Sequence, residues 1–411
     1  MKLSSLSCKR TLRDGQVRKH LSYSSIVTLV LAITAPCLAT EWSLTPSMST
    51  KAYYTDNLLL TKLPHDPTYG YWISPGVEFA GKTERLELSG RATLDFVDYY
   101  GGASTRFTNV FLPLTMKYRT ERDEWGFTGG FTRDNTQMGE LLATGLLLRF
   151  TQRNLWSLNP TWSRTITENL AFQSTFQFND ASYEDGLRFG LTNHRVLGIS
   201  AGFLYHVTEK DDVQLAGSYT NFRTTNAPLS LRANYPGATV TITHAFTEEL
   251  KGTVYGGPRF ISTTSQLADG DAHTQSTTWI YGASLTKQFE RASIQAILSR
   301  EIFPSGFGLL LQTDRFGISA SYKISEAVTF LLDTSAYVIA GATPQTRGGE
   351  LPEQRLLYST PKLSWHFSEW WTAEISYNHR WRDVDHQGDP VMSNTLMFML
   401  TYYPPKLARS E

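Results

Sequence analysis

The sequence predicts an all-β fold, a transmembrane antiparallel up-and-down β-barrel of about 18 strands, on three observations. Segments of about ten residues alternate between apolar and polar side chains. Short turns carrying a glutamate recur about every forty residues, and tryptophan and tyrosine gather at the ends of the alternating segments.

Alternation comes first because successive side chains of a strand point to opposite faces, so a sheet between lipid and water has a period of two. In residues 85–96, Leu86, Leu88, Ala92, Leu94 and Phe96 share one face, and Glu87, Ser89, Arg91, Thr93 and Asp95 share the other. Residues 169–179 separate Leu170, Phe172, Phe176 and Phe178 from Ala171, Gln173, Thr175 and Gln177. Residues 371–381 set Trp371, Ala373, Ile375 and Tyr377 against Thr372, Glu374, Ser376, Asn378 and Arg380. About ten residues is the length of a tilted strand that crosses the hydrocarbon layer. No apolar run after Thr40 is long enough for a membrane-spanning helix.

The turns fall near Glu84, Glu121, Glu168, Glu209, Glu248, Glu290, Glu326 and Glu369. Most are preceded by threonine (Thr83, Thr120, Thr167, Thr208, Thr247) or serine (Ser325, Ser368). Longer connections alternate with them, such as Leu267–His273, Ala340–Glu350 and Asp383–Pro390. Short turns at one end and long loops at the other is the asymmetry of outer-membrane barrels. A propeller shares a period near forty but needs four short strands per repeat; only two can be placed here, each too long for a blade. Two strands for each of the eight turns, with one before the first and one after the last, make eighteen. Sixteen is the alternative count, because residues 136–160 resist assignment and Pro113 and Pro361 interrupt alternating segments. An even number puts both chain ends on the short-turn side.

Trp42, Tyr53, Tyr54, Tyr69, Trp72, Tyr99, Tyr100, Trp125, Trp156, Trp162, Trp279, Trp365 and Trp371 all fall near predicted strand ends. Amphipathic rings belong at headgroup level, so the expectation is two interfacial girdles. Composition agrees: 41% of residues are hydrophobic, yet the mean hydropathy is −0.28 because they are spread singly among small polar residues. Lysine plus arginine and aspartate plus glutamate are equal at 38 each, so no electrostatic field favours nucleic acid.

The organisation expected is a signal peptide over 1–39, the barrel over 40–403 and a periplasmic tail over 404–411. Lys2, Lys9, Arg10, Arg13, Arg18 and Lys19 precede an apolar segment, Ile26–Leu38, and small residues around Ala39. That is the plan of a secretory signal; as a membrane anchor it is too short. As a lipoprotein signal it would use Cys37, but Pro36 fits that rule poorly. Both cysteines, Cys8 and Cys37, lie in this stretch, so no disulfide is expected in the barrel. In the last strand, Asn394–Tyr403, Leu396, Phe398, Leu400 and Tyr402 share a face; Pro404 and Pro405 then stop it, leaving the tail free.

Ten charged residues interrupt the polar faces: Glu87, Arg91, Asp95, Lys117, Lys251, Lys323, Asp333, Lys362, Glu374 and Arg380. Facing lipid, each lysine or arginine would cost about 2–4 kcal/mol near the midplane, so all ten are expected to line the lumen. Both signs are present, which implies a polar interior without strong ion selectivity. No G-x-S-x-G, H-E-x-x-H or phosphate-loop pattern occurs, and His194, His206, His244, His366 and His379 are scattered over separate strands. The acid-rich stretches Asp269–His273 and Asp383–Asp389 read as solvated loop tips in preference to cation sites. The chain is therefore expected to be neither an enzyme nor a holder of a cofactor or metal.

The segment TEWSLTPSMSTKAYYTDNLLL, with its Tyr-x-Asp-Asn element, and the later Trp72-Ile73-Ser74-Pro75-Gly76 stretch resemble the opening of a family of β-barrel porins. Pro160-Thr161-Trp162, the Thr167-Glu168 turn and the closing Ser393-Asn394-Thr395 strand resemble the same group, and the nearest subset is the PEP-CTERM-system-associated outer-membrane proteins. That resemblance implies a bacterial outer-membrane channel linked to exopolysaccharide export and offers no catalytic residues. The implied partners are outer-membrane lipid, lipopolysaccharide, the barrel assembly machinery and exopolysaccharide export components. The alternatives are a plugged or structural barrel that anchors a surface polymer, if residues 136–160 or 340–355 pack inside, and an outer-membrane hydrolase.

Overall fold

The computed structural model describes residues 41–62, 66–102, 104–136, 139, 151–225, 230–267, 270–342, 352–385, 388–405 and 407–410. The expected signal peptide lies outside them. The strands in chain order are β1 (Glu41–Thr55), β2 (Thr68–Lys82), β3 (Leu86–Gly101), β4 (Thr105–Arg119), β5 (Asp123–Asn135) and β6 (Gln152–Thr167). There follow β7 (Leu170–Tyr183), β8 (Asn193–His206), β9 (Asp211–Thr225), β10 (Ser230–Ala245), β11 (Leu250–Leu267) and β12 (Gly270–Gln288). The set is completed by β13 (Ala292–Pro304), β14 (Leu310–Lys323), β15 (Val328–Gly341), β16 (Gln354–His366), β17 (Trp371–Val384) and β18 (Val391–Tyr402).

Each strand pairs antiparallel with its successor, and β18 pairs with β1 from Met48↔Tyr402 to Thr55↔Thr395, closing an eighteen-stranded barrel. The count of eighteen, not sixteen, is the observed one. Proline explains why some segments read as interrupted. Having no N–H, it removes a ladder bond without ending the strand. On one side of Pro75, Pro113, Pro160 and Pro361 the pairing skips, as between Ser359↔His379 and Lys362↔Ser376, and then resumes in register.

All eight glutamate-bearing turns are the short connections at one end of the barrel, and their glutamates are exposed. The residue before the glutamate shapes the turn. Thr83 Oγ1 accepts from Leu86 N at 2.9 Å, Thr120 Oγ1 from Asp123 N at 3.0 Å, Thr247 Oγ1 from Leu250 N at 3.0 Å and Ser325 Oγ from Val328 N at 3.1 Å. A hydroxyl three residues back thus takes the N–H that the tight turn leaves unpaired. The glutamate supplies charge at the water side.

Beyond the break at Pro404 and Pro405 the chain does not hang free as expected. Leu407–Ser410 forms β19 against the start of β1, from Glu41↔Ser410 to Leu44↔Leu407. Below Met48, β1 has passed the end of β18, so its edge would be open; the tail covers it.

Large hydrophobic side chains cover the outer face: Phe96 on β3, Phe203 on β8, Leu215 on β9, Leu298 on β13, Phe316 on β14 and Phe398 on β18 are each about half exposed. A band of this extent on the convex side of a closed barrel is a lipid-facing surface. Most of the expected girdle aromatics share this face, and Trp125 stacks on Trp162 at 5.4 Å there. Tyr53, Trp72 and Tyr99 do not. They lie on the inner face, where Tyr53 is 5.4 Å from Tyr99 and Tyr99 is only 2% exposed. Position at a strand end carries no information about which face a ring occupies; parity does.

Candidate channel lumen

The same parity places every one of the ten charged positions. Register neighbours in an antiparallel pair share a face, so the faces follow from the exposed hydrophobics. Glu87, Arg91 and Asp95 alternate with outer Leu94 and Phe96 on β3, and Lys117 opposes Glu87 on β4. Lys251 alternates with outer Val254 on β11, Lys323 with Tyr322 on β14, and Asp333 opposes Ser319, which alternates with outer Phe316 and Tyr322. Lys362, Glu374 and Arg380 alternate with outer Leu363, Ile375 and Tyr377. All ten lie on the face opposite the hydrophobic band.

Several are paired within that face. Lys362 Nζ is 3.3 Å from Glu374 Oε1, Arg91 contacts Glu78, and Lys82 Nζ is 3.9 Å from Glu87 Oε1. Asp333 accepts from Ser319 Oγ at 2.9 Å, and Arg380 Nε donates to Asn378 Oδ1 at 2.6 Å. The most enclosed pair is one the sequence reading missed: Arg153 donates to Asp134 at 2.9 and 2.6 Å, with the Asp134 side chain 6% exposed. Arg259, Glu301 and Arg315 were also missed. They stand among isoleucine, glycine and phenylalanine, where the alternation is weak, but parity with Phe260, Leu298 and Phe316 would have assigned them.

The histidines do not converge. His194 is buried between the rings of Tyr183 and Phe222, whereas His206 and His244 each bond an aspartate, Asp212 at 2.5 Å and Asp211 at 2.7 Å, at the short-turn end. Of the acid-rich stretches, residues 268–269 and 386–387 lie outside the described residues.

Among the described residues, three connections at the long-loop end turn into the barrel. The first joins β1 to β2. Asp56 accepts the Asn394 backbone N–H and side-chain amide, both at 2.7 Å, and Asn57 donates to Met392 O at 3.0 Å. The Asp-Asn pair of the opening motif thus ties the first loop to the last strand. Leu60, fully buried against Val391, is held at φ 51°, and Leu58 packs on Val97 and Tyr99. The second connection joins β7 to β8 and buries Leu191 against Ala181 and Tyr183.

The third is the tip of the β13–β14 hairpin. The ladder between β12 and β13 runs from Gln288↔Ser293 to Tyr281↔Arg300 and goes no further among the described residues, although β12 stays paired with β11 to Gly270. Past that point β13 parts from β12, while β14 stays paired with β15 to Leu311↔Gly341, and the tip between β13 and β14 turns inward. Leu310 joins a buried cluster with Val196, Phe222, Ala233, Tyr235 and Ile261, the inner faces of β8 to β11. Phe307 packs with the β7–β8 cluster. Burying side chains of this size contributes about 1.5–3 kcal/mol each, enough together to hold the tip inside.

A barrel of eighteen tilted strands with an outer apolar band, an inner polar face and short turns at the terminal side is an outer-membrane β-barrel, a protein of the bacterial outer membrane. No family model matches the chain, and no curated protein matches it. Among solved structures it is similar to Pseudomonas aeruginosa OccK2 (OpdF) in complex with glucuronate, at 8% identity and a TM-score of 0.46, over 88% of this chain and 98% of that one. It is also similar to Acinetobacter baumannii OccAB1, at 12% identity and a TM-score of 0.45, over 89% and 97%. A third is Pseudomonas aeruginosa OccK5 (OpdH), at 12% identity and 0.43, over 88% and 98%. Identities this low leave the reading of this chain to its own geometry.

Proposed function

We propose that the protein is a porin-like channel that passes small polar solutes across the outer membrane, with the inward loops setting its bore. The observation that carries this reading is the inner face, where hydroxyl, amide and paired charged groups line a barrel of a size that encloses water. The ten charged residues predicted from sequence are the pore-lining candidates. Reconstituted in a planar bilayer, the purified protein should give discrete single-channel steps; a reconstituted, folded barrel giving none would overturn the proposal.

A barrel serving exopolysaccharide export is the finer reading, and it rests on the resemblance of the opening and closing segments to the PEP-CTERM-associated group. The hairpin core across the mouth favours a small solute over a polymer strand, because a chain in transit would have to displace Leu310 and Phe307 from their clusters. Loss of surface polysaccharide on deleting the gene, restored by the intact chain, would support the export role. The same hairpin supports a second reading, a constricted or plugged barrel. Residues 136–160 and 340–355 lie only partly within the described residues; among the described residues, the segments 56–62, 185–191 and 305–309 turn inward.

A further inference from the structure

Next to the inward hairpin, the inner wall between β11 and β15 holds a recess of about 340 Å³ lined by Tyr255, Glu301, Phe303, Thr313, Arg315 and Tyr337. Its shape depends on a glycine. Tyr255 lies across Gly282 of β12, where a Cβ would stand 2.3 Å from the Tyr255 ring. With that space free, the Tyr255 hydroxyl reaches past β12 and donates to Glu301 Oε1 at 2.8 Å.

Glu301 and Arg315 are diagonal neighbours on one face, since Glu301 opposes Thr313 and Ser299 opposes Arg315. Such positions lie about 7–8 Å apart at the backbone, within reach of two long side chains. They form no ion pair. Glu301 is turned to Tyr255, while Arg315 donates to Ser335 Oγ at 3.2 Å and lies 5.6 Å from the Tyr337 ring. Arg315 Nε, which lies over Gly317, and Thr313 Oγ1 are buried with no partner among the described residues. A carboxylate and a guanidinium thus flank one recess from two sides, with the Thr313 hydroxyl and two tyrosine rings in its lining.

A buried donor without a partner is costly, so the chemistry that fits is one that supplies it. A simple anion or cation would meet one sign and be repelled by the other. Two neighbouring hydroxyls of a sugar meet both: one donates to Glu301 and the other accepts from Arg315. The C–H face of the sugar ring then lies against tyrosine. We propose that this recess is a saccharide subsite, holding a neutral sugar between Glu301 and Arg315 against Tyr337. The proposal deepens the channel reading and rests on it for the sugar's route in.

The test is calorimetric titration of the detergent-purified full-length barrel with maltose. Binding in the millimolar range is expected. Each of Glu301→Gln and Arg315→Met should weaken it roughly tenfold, the effect of one charged hydrogen bond. Glu326→Gln, in an exposed turn, should leave it unchanged. Heat-modifiable gel mobility certifies each variant as folded, and either substitution alone suffices if the other fails. No maltose binding by the intact protein, undiminished binding by folded variants, or tighter binding of alanine than of maltose would overturn the subsite. Conductance of the same preparation separates the two claims: a barrel that conducts without binding maltose loses only the subsite, and one that binds without conducting loses the channel.

Discussion

Thr192 and Gly306 join two connections a third of the way round the barrel mouth from each other: the Thr192 backbone N–H donates to Gly306 O at 2.6 Å and its hydroxyl to the same oxygen at 3.3 Å. Four strands of wall, β9 to β12, separate the two connections, so this contact crosses the lumen. Gly308 sets its geometry, with φ 73° and a position where a Cβ would stand 2.9 Å from Thr192 Oγ1. Gly308→Val should therefore loosen the tip, at a backbone cost of about 1–2 kcal/mol. The expected outcome is a larger single-channel conductance with an unchanged gel shift; an unchanged conductance would show that the tip does not limit the bore.

Asp134 and Arg153 form the most enclosed ion pair of the inner face. Removing one partner leaves the other buried and uncompensated, so Asp134→Ala should destabilise the barrel by roughly 3 kcal/mol. By contrast, Arg106 pairs with Asp98 on the outer side with 80% of its side chain exposed, and Arg106→Ala should be nearly silent. Urea unfolding in detergent or lipid compares the two.

Phe398 and Met399 are adjacent on β18 but face lipid and lumen respectively. Phe398→Arg should cost about 2–4 kcal/mol in a bilayer, near the top of the range if the site is close to the midplane. Met399→Arg should cost much less because its charge meets the polar interior. Equal losses for both, read from folded yield in vesicles, would contradict the assigned faces.

Lys362 and Glu374 hold opposite charges 3.3 Å apart on the inner face. Paired charges of both signs should leave the intact channel weakly selective. Lys362→Glu puts a second carboxylate there, and the reversal potential in a salt gradient should move towards cation preference, with the shift shrinking as salt rises. A potential that does not move would remove Lys362 from the conducting path.

The opening motif and the last strand show how far local sequence reaches. The strand faces and the short turns follow from the chain alone, because period two and a turn hydroxyl three residues back act between near neighbours, whereas the pairing of β18 with β1 decided eighteen strands over sixteen. Thr83, Thr120, Thr247 and Ser325 each illustrate this, and so do the inner positions of Glu87 and Lys362. The same motif also shows the limit. Asp56 and Asn57 were legible as a signature, but their bonds to Asn394 and Met392 join residues more than three hundred positions apart.

Among the described residues, what narrows the lumen belongs to that second kind. The departure of the β13–β14 tip from β12, its burial against β8 to β11 and the recess between Glu301 and Arg315 depend on which distant side chains share the interior. Alternation determined which face each residue takes; it carried nothing about which loops fill the space those faces enclose. That choice rests on burial of Leu310 and Phe307 among residues brought near only when the barrel closes, so only the tertiary structure decided it.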